Sequence, residues 1–250
     1  MNQPIREWRD KRVWVVGAST GIGRALVEAL IARGARVAVS ARSEDKLRTF
    51  PAPTGQVLPL ALDVTAAGAF RPSLAAIVEA WGGLDLAVFA AGTYAPVRAW
   101  ELDAEQARRT FETNVLGVTS GVAAVVPQLL RQGAGAIAVV ASVAGYRGLP
   151  KSILYGASKA ALINFTEALY LDLRPKGVSV FLVNPGFVAT PLTAQNDFRM
   201  PALIGPEEAA REILDGFARD RFEIHFPRRF TRVMKLAAVL PYRIYLALAR

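Results

Sequence analysis

A hydroxyl, a phenol and an ammonium brought together can serve a single carbonyl, and the stretch from Ser142 to Lys159 offers all three. Tyr155 and Lys159 stand in a Tyr-x-x-x-Lys spacing at the head of 157–173, where apolar residues recur at helical intervals, so the two side chains share a helix face. A free phenol titrates at about 10 and exchanges protons sluggishly at neutral pH; a fixed ammonium lowers that value by stabilising phenolate. Ser142 closes the apolar run 136–141, which reads as a buried strand, and the carboxyl ends of such strands are where open α/β sheets bind ligands. Taken alone, the Tyr-x-x-x-Lys pair fits an ordinary exposed helix face equally well.

Upstream, 11–16 reads as a short apolar strand that runs into Gly17-Ala-Ser19-Thr20-Gly21-Ile22-Gly23, followed by helical periodicity over 24–33 that ends at Gly34. Strand, glycine loop and helix in that order let backbone N–H groups approach a pyrophosphate at a helix N-terminus. The second strand, 35–40, ends in Ser40-Ala41-Arg42. A dinucleotide whose ribose carries a free hydroxyl is met by a carboxylate at this place; a guanidinium attracts a 2′-phosphate instead, with Ser19 and Ser40 as added hydroxyl donors. The expected cofactor is NADP, against the plainer reading that Arg42 is a solvated charge at the start of the next helix.

Further strands are expected at 56–61, 84–90, 177–183 and 221–226, alternating with helices over 69–81, 101–130 and from Pro206 onward. The third strand ends at Asp63-Val64, a place for adenine contacts or, through Thr65, for a helix cap. Ala91-Gly92 follows the fourth. Asn114 lies inside a helical run, which is mildly unfavourable and calls for either a solvated face or a buried polar role. Asn184-Pro185-Gly186-Phe187-Val188-Ala189-Thr190-Pro191 breaks regular structure at a strand's end and reads as a ligand loop, and 193–204 reads as a mobile lid. The alternation makes the class α/β with a parallel sheet.

The 250 residues, 52% hydrophobic, suit one domain with a full-sized core. No cysteine is present and His225 is the only histidine, which excludes disulfides and structural zinc and leaves no metal site to expect. The N-terminal residues carry charges of both signs without an apolar stretch, so a signal peptide is not expected and a cytoplasmic setting is. The net charge of +9 is concentrated from Arg219 to Arg250, where eight Lys or Arg stand against Asp220 and Glu223.

With these pieces in place the chain resembles the short-chain dehydrogenase/reductase family from Lys11 to Pro227: the glycine loop Gly17, Gly21, Gly23, then Asn114, Ser142 and Tyr155-x-x-x-Lys159 follow the family's order and spacing. The resemblance implies a Rossmann-like single domain with a doubly wound parallel sheet. It implies that Tyr155 is the acid in carbonyl reduction and the base in alcohol oxidation, and that Ser142 hydrogen-bonds the substrate oxygen. Lys159 would hold the nicotinamide ribose and lower the phenol pKa, and Asn114 would position a proton-carrying water through its backbone. By the same likeness Asp63 and Val64 are adenine contacts, Ala91 and Gly92 lie under the adenine ribose, and Pro185, Gly186, Val188 and Thr190 meet the nicotinamide. A homodimer or homotetramer is implied too. One departure is Phe89-Ala90-Ala91-Gly92 where the family often has Asn-Asn-Ala-Gly, which removes a structural hydrogen bond and not the chemistry.

The expected reaction is hydride transfer between NADP(H) and the carbonyl or alcohol of a small molecule, and a cofactor-binding sensor without turnover is the alternative class. Tyr94, Val97, Tyr146, Leu149, Phe187 and Leu192 are expected to line an apolar substrate pocket, with Arg147 and Lys151 near enough to meet an anionic group. Residues 1–227 form the catalytic domain in this reading and 228–250 a basic, apolar extension, helical in two pieces split at Pro241. That extension reads either as a surface that lies on an anionic membrane or as helices that pack on the pocket or a partner subunit. Nucleic acid is not expected, because no recognition motif accompanies the basic residues.

Overall fold

Apolar residues fill nearly every position of the strands, as they must where helices cover both faces of a sheet. The computed structural model describes residues 2–248; Arg250, counted with the basic tail, lies outside the described residues. The chain runs β1 (Arg12–Val16), α1 (Gly21–Ile31), β2 (Arg36–Ala41), α2 (Glu44–Leu47), β3 (Val57–Ala61), α3 (Phe70–Trp81) and β4 (Leu86–Phe89). It continues through α4 (Ala104–Phe111), a π-helical turn (Glu112–Leu116), α5 (Gly117–Gln132), β5 (Gly135–Val140), α6 (Ile153–Leu173) and β6 (Val178–Pro185). The last elements are α7 (Pro206–Phe217), β7 (Glu223–Phe226), α8 (Arg228–Val239) and α9 (Tyr242–Leu248).

All seven strands pair in parallel in the order β3-β2-β1-β4-β5-β6-β7, the doubly wound Rossmann-like arrangement. Side-chain alternation divides the core. Val13, Val15, Val37 and Val39 pack against α1 and α7, while Trp14, Val16, Ala38 and Phe89 pack against α3, α5 and α6. Trp14 is fully buried, and removing roughly 150–250 Å² of such a ring from water stabilises the fold by about 4–6 kcal/mol. The strand order reverses between β1 and β4, where Val16 pairs with Phe89, and the loops that follow these strands therefore open a crevice at the sheet's carboxyl edge.

Three element boundaries differ from expectation in ways that matter for the crevice. Helix α1 begins at Gly21, inside the glycine loop, so its first turn belongs to the loop itself. Helix α6 begins at Ile153 and not at 157, which places Tyr155 and Lys159 on its first two turns. Strand β6 continues through Pro185, because Pro185 still pairs with Phe226 and the Gly186 N–H donates to the Phe226 carbonyl at 2.7 Å. The continuous helical stretch Ala104–Gln132 is long and apolar enough to cross a membrane, but Val118, Val122, Val125 and Leu129 turn its apolar face into the core.

Candidate active site

The crevice is a cleft of about 810 Å³. Its floor begins at the glycine loop. Gly17 has φ of +95°, and a Cβ there would stand 2.4 Å from the Ala91 nitrogen; one on Gly23 would stand 2.1 Å from the Gly17 carbonyl oxygen. Only hydrogen side chains let the β1–α1 loop, the head of α1 and the loop after β4 approach so closely, and the α1 N-terminus is thereby aimed at the cleft.

Ser142 follows β5 and caps a single 3-10 turn, Val143–Gly145, accepting the Ala144 N–H at 3.1 Å. With a lone pair occupied, its own O–H is left to donate, and Tyr155 is within its reach. Lys159 is almost fully buried, donates to the Val140 carbonyl at 2.9 Å and lies 5.6 Å from the centre of the Tyr155 ring. Asn114 is also buried. Its Oδ1 accepts the Thr93 N–H at 2.7 Å, and its Nδ2 donates to the Thr93 carbonyl at 2.9 Å and to the Ser158 hydroxyl at 3.0 Å. Of the two roles open to an Asn within a helix, the buried polar one is realised. The π-helical turn carries it: one extra residue in the turn, with the Gly117 N–H bonded to the Glu112 carbonyl, shifts the backbone where Asn114 sits.

The structure brings Ser142, Tyr155 and Lys159 to one cleft with Gly17, Ser19, Thr20, Gly21, Ile22, Gly23, Arg42, Asp63, Val64, Ala91, Gly92, Pro185, Gly186, Val188 and Thr190. Asn114 stands behind that wall. Ser40 borders the same cleft at the end of β2, with its side chain fully buried and its hydroxyl accepting the Trp14 indole N–H at 2.9 Å. Lys46, four residues beyond Arg42, also lines the cleft and was not singled out from the sequence, although the Arg-x-x-x-Lys spacing was visible. The Asp63 carboxylate accepts both the N–H and the hydroxyl of Thr65, which, helped by nearby Arg42, hold it below the usual carboxylate range.

The electrostatics correct one expectation. Burial pushes the Tyr155 phenol up to about 12, against a hydrogen bond from Ser142 that pulls it down. Burial likewise takes Lys159 down to about 8. The ammonium faces the ring and bonds a carbonyl, so in this structure desolvation prevails over the lowering expected of it.

On the substrate side, Tyr94 stacks edge-on to Tyr155, with ring centres 5.0 Å apart, and donates to the Asn196 side chain at 2.7 Å. The segment 193–204, expected as a lid, makes contacts at three points: Phe198 packs on Phe187, Lys151 pairs with Asp197, and Ile204 bridges to Val188. Lys151 holds a left-handed φ of +58°, a strained conformation for a lysine, at the entrance to α6. Arg147 does not reach the pocket. It lies between the rings of Tyr242 and Tyr245 at 4.3 and 4.7 Å and donates to the Ala238 carbonyl. The Tyr146 phenol donates to Glu223, which also receives Asn184 at 2.8 Å and Lys235. Burial works to raise Glu223, and these three donors outweigh it and hold the carboxylate below its usual range. Glu223 and Lys235 had no signal in the sequence beyond being the last acid and an isolated lysine of a basic tail.

A short chain dehydrogenase family model matches residues 11–199, and the chain belongs to that family. An uncharacterised oxidoreductase of Myxococcus xanthus is 39% identical over 98% of this chain and 99% of its own length. Among solved structures, a short chain dehydrogenase from Burkholderia cenocepacia in complex with NADP superposes with a TM-score of 0.84 at 26% identity, covering 98% of this chain and all of the other. One from Burkholderia phymatum in complex with NAD gives 0.85 at 27% identity, over 98% and 97% of the two chains. The protein is therefore an oxidoreductase of the short-chain dehydrogenase family, which uses a nicotinamide cofactor.

Proposed function

We propose that the chain moves a hydride between NADP(H) and the carbonyl or alcohol carbon of a small hydrophobic molecule, with Tyr155 as general acid and base. The observation that carries this is the opening of Ser142, Tyr155 and Lys159 into the same cleft as the glycine loop. The close approach at Gly17 and Gly23 fits a pyrophosphate at the head of α1, and the exposed Arg42 with Lys46 nearby fits a 2′-phosphate, with no carboxylate at the end of β2 to repel it. When bound, the nicotinamide supplies or receives the hydride.

The chain's own groups handle the proton and the charge. In reduction the Tyr155 O–H gives its proton to the substrate oxygen as the carbonyl carbon gains hydride, and in oxidation it takes that proton back. The Ser142 O–H donates to the same oxygen and stabilises its developing charge. Lys159 holds the ribose hydroxyls, and Asn114, whose side chain ties Thr93 to Ser158, fixes the backbone on which a proton-carrying water would sit. A phenol at about 12 is fully protonated near neutral pH, and a lysine at about 8 is largely charged there, so the resting site is set for reduction. The apolar pocket is supported by Leu192 in the cleft wall, by Tyr94 packed on Tyr155, and by the commitment of Arg147 to the tail and of Lys151 to Asp197, which leaves neither cation to hold a substrate anion. A homodimer or homotetramer belongs to the same reading, supported by exposed Leu116, Ile153 and Leu171 beside the Asn114 turn and along α6; so does a cytoplasmic setting.

NADPH oxidation over a panel of ketones and aldehydes tests the reading. Tyr155→Phe is expected to lower turnover by about 10²–10⁴-fold while NADPH still raises Tm, and wild-type turnover by that variant would rule out the acid role. Arg42→Asp is expected to weaken NADPH by about 100-fold and NADH by less than about threefold, as lost phosphate contacts require.

A further inference from the structure

The C-terminal helices have two unlike faces. The inner one is tied down: Phe230 packs on Phe187, Lys235 pairs with Glu223, Arg147 lies between Tyr242 and Tyr245, and the Tyr245 hydroxyl donates to the Gly148 carbonyl. The outer face carries Val233, Leu236, Val239, Ile244, Leu246 and Leu248, all at least half exposed, with Val239 76% and Leu248 73% exposed. Elsewhere on the described surface the large exposed apolar side chains are spread over several elements; here they come together on two adjoining helices.

The charges around this patch have one sign. No Asp or Glu occurs from Ile224 to the end of the chain. Arg228, Arg229, Arg232 and Arg243 make no ion pair among the described residues, and Arg229, Arg232 and Arg243 are exposed on the same two helices. A second copy of the chain seated here would bring those arginines against their equivalents with no acid on either side. A lipid surface bearing negative headgroups would neutralise them and bury the apolar stripe in the same act. The 12 residues of α8 and the 7 of α9 are each too short to cross a hydrocarbon layer of about 30 Å, so the helices would lie in the interface plane.

We propose that the outer face of α8 and α9 is a docking surface for an anionic membrane. The inner face of the same helices grips Arg147 and Gly148, in the loop between Ser142 and Tyr155, so docking sets the substrate end of the cleft close to the lipid. This proposal does not depend on the cofactor or on the reaction.

Co-sedimentation of the full chain with equimolar phosphatidylglycerol–phosphatidylcholine vesicles, against phosphatidylcholine alone, tests it. The wild-type protein is expected to partition at least about tenfold more strongly onto the anionic vesicles, and salt near 0.5 M is expected to reduce that binding, as screening demands. Combined Arg229→Glu, Arg232→Glu and Arg243→Glu, and separately combined Val233→Ser, Leu236→Ser and Val239→Ser, are each expected to lower binding about tenfold with Tm and the NADPH-induced rise in Tm preserved. Equal binding to both vesicles, or binding unmoved by both variants, overturns the proposal. So does light scattering in which the serine variant dissociates a dimer while the wild type ignores vesicles, since the face would then be a subunit contact.

Discussion

The floor of the cleft and its mouth are held by different kinds of contact. On the floor, each polar side chain is fixed largely by main-chain atoms: Lys159 by the Val140 carbonyl, Ser142 by the Ala144 N–H, Asn114 by both groups of Thr93. All of these lie within 11–199, the span that the family model matches, as do two of the pairs at the mouth, Tyr94–Asn196 and Lys151–Asp197. At the mouth, side chain meets side chain across long stretches of sequence: Tyr94 with Asn196, Lys151 with Asp197, Tyr146 with Glu223, Arg147 with Tyr242 and Tyr245. Main-chain anchors survive substitution at other positions, whereas a side-chain pair is remade whenever either partner changes. The floor can therefore stay constant across a family while the mouth, built partly by the lid and the tail, is free to follow the substrate.

Asn114→Ala would break the floor with the largest effect. It removes the side-chain partner of the Thr93 N–H and carbonyl, at a cost of about 2 kcal/mol for the two hydrogen bonds, and frees the loop beside Tyr155. Turnover is expected to fall about 100-fold or more, as loss of a pre-set geometry predicts, with a lowered Tm in the same preparation. Full turnover at an unchanged Tm would mean the main-chain anchors are not what sets the floor. Arg147→Ala strikes the mouth instead. It removes two cation–π contacts of about 1 kcal/mol each and loosens the tail from the loop after Ser142. KM is expected to rise about tenfold with kcat within about threefold, because the substrate wall moves and the reacting groups do not. A fall in kcat at constant KM would erase the distinction between the two regions.

The same distinction governs what could be read before the structure. Tyr155, Lys159, Ser142 and the glycine loop were legible because helix and strand periods alone decide which side chains face the cleft. The bond from Trp14 to the Ser40 hydroxyl was not legible, because Trp14 comes from the neighbouring strand and only the register of β1 on β2 brings them together. Arg147 was misread because two tyrosines more than ninety residues away claim it. Glu223 was missed, and so was Asn2, whose amide completes the backbone hydrogen bonding of Val180. The phenol's direction of shift was beyond any spacing argument, since it turns on how far burial outweighs a neighbouring charge.

Lys159 gives the smallest effect and the sharpest sign. Unfolded, its ammonium keeps a proton up to the ordinary value of 10.5; folded, burial lowers that to about 8. Between those values the unfolded chain binds more protons, so stability rises with pH across the window, and below about 8 the full penalty is present, of order 3 kcal/mol. Lys159→Met removes the penalty but leaves the Val140 carbonyl without its partner, at about 1–2 kcal/mol. The variant is expected to be inactive yet to melt a few degrees higher than the wild type at pH 7, about 3 °C per kcal/mol for a chain of this size. The gain should shrink as pH climbs from 8 toward 10, where the wild-type lysine is neutral too; the rise of Tyr155 to about 12 is common to both proteins and cancels. Matched melting curves over that range decide it. A variant that melts lower at every pH would show that the lysine is held for packing, and that the floor stores no cost on behalf of its chemistry.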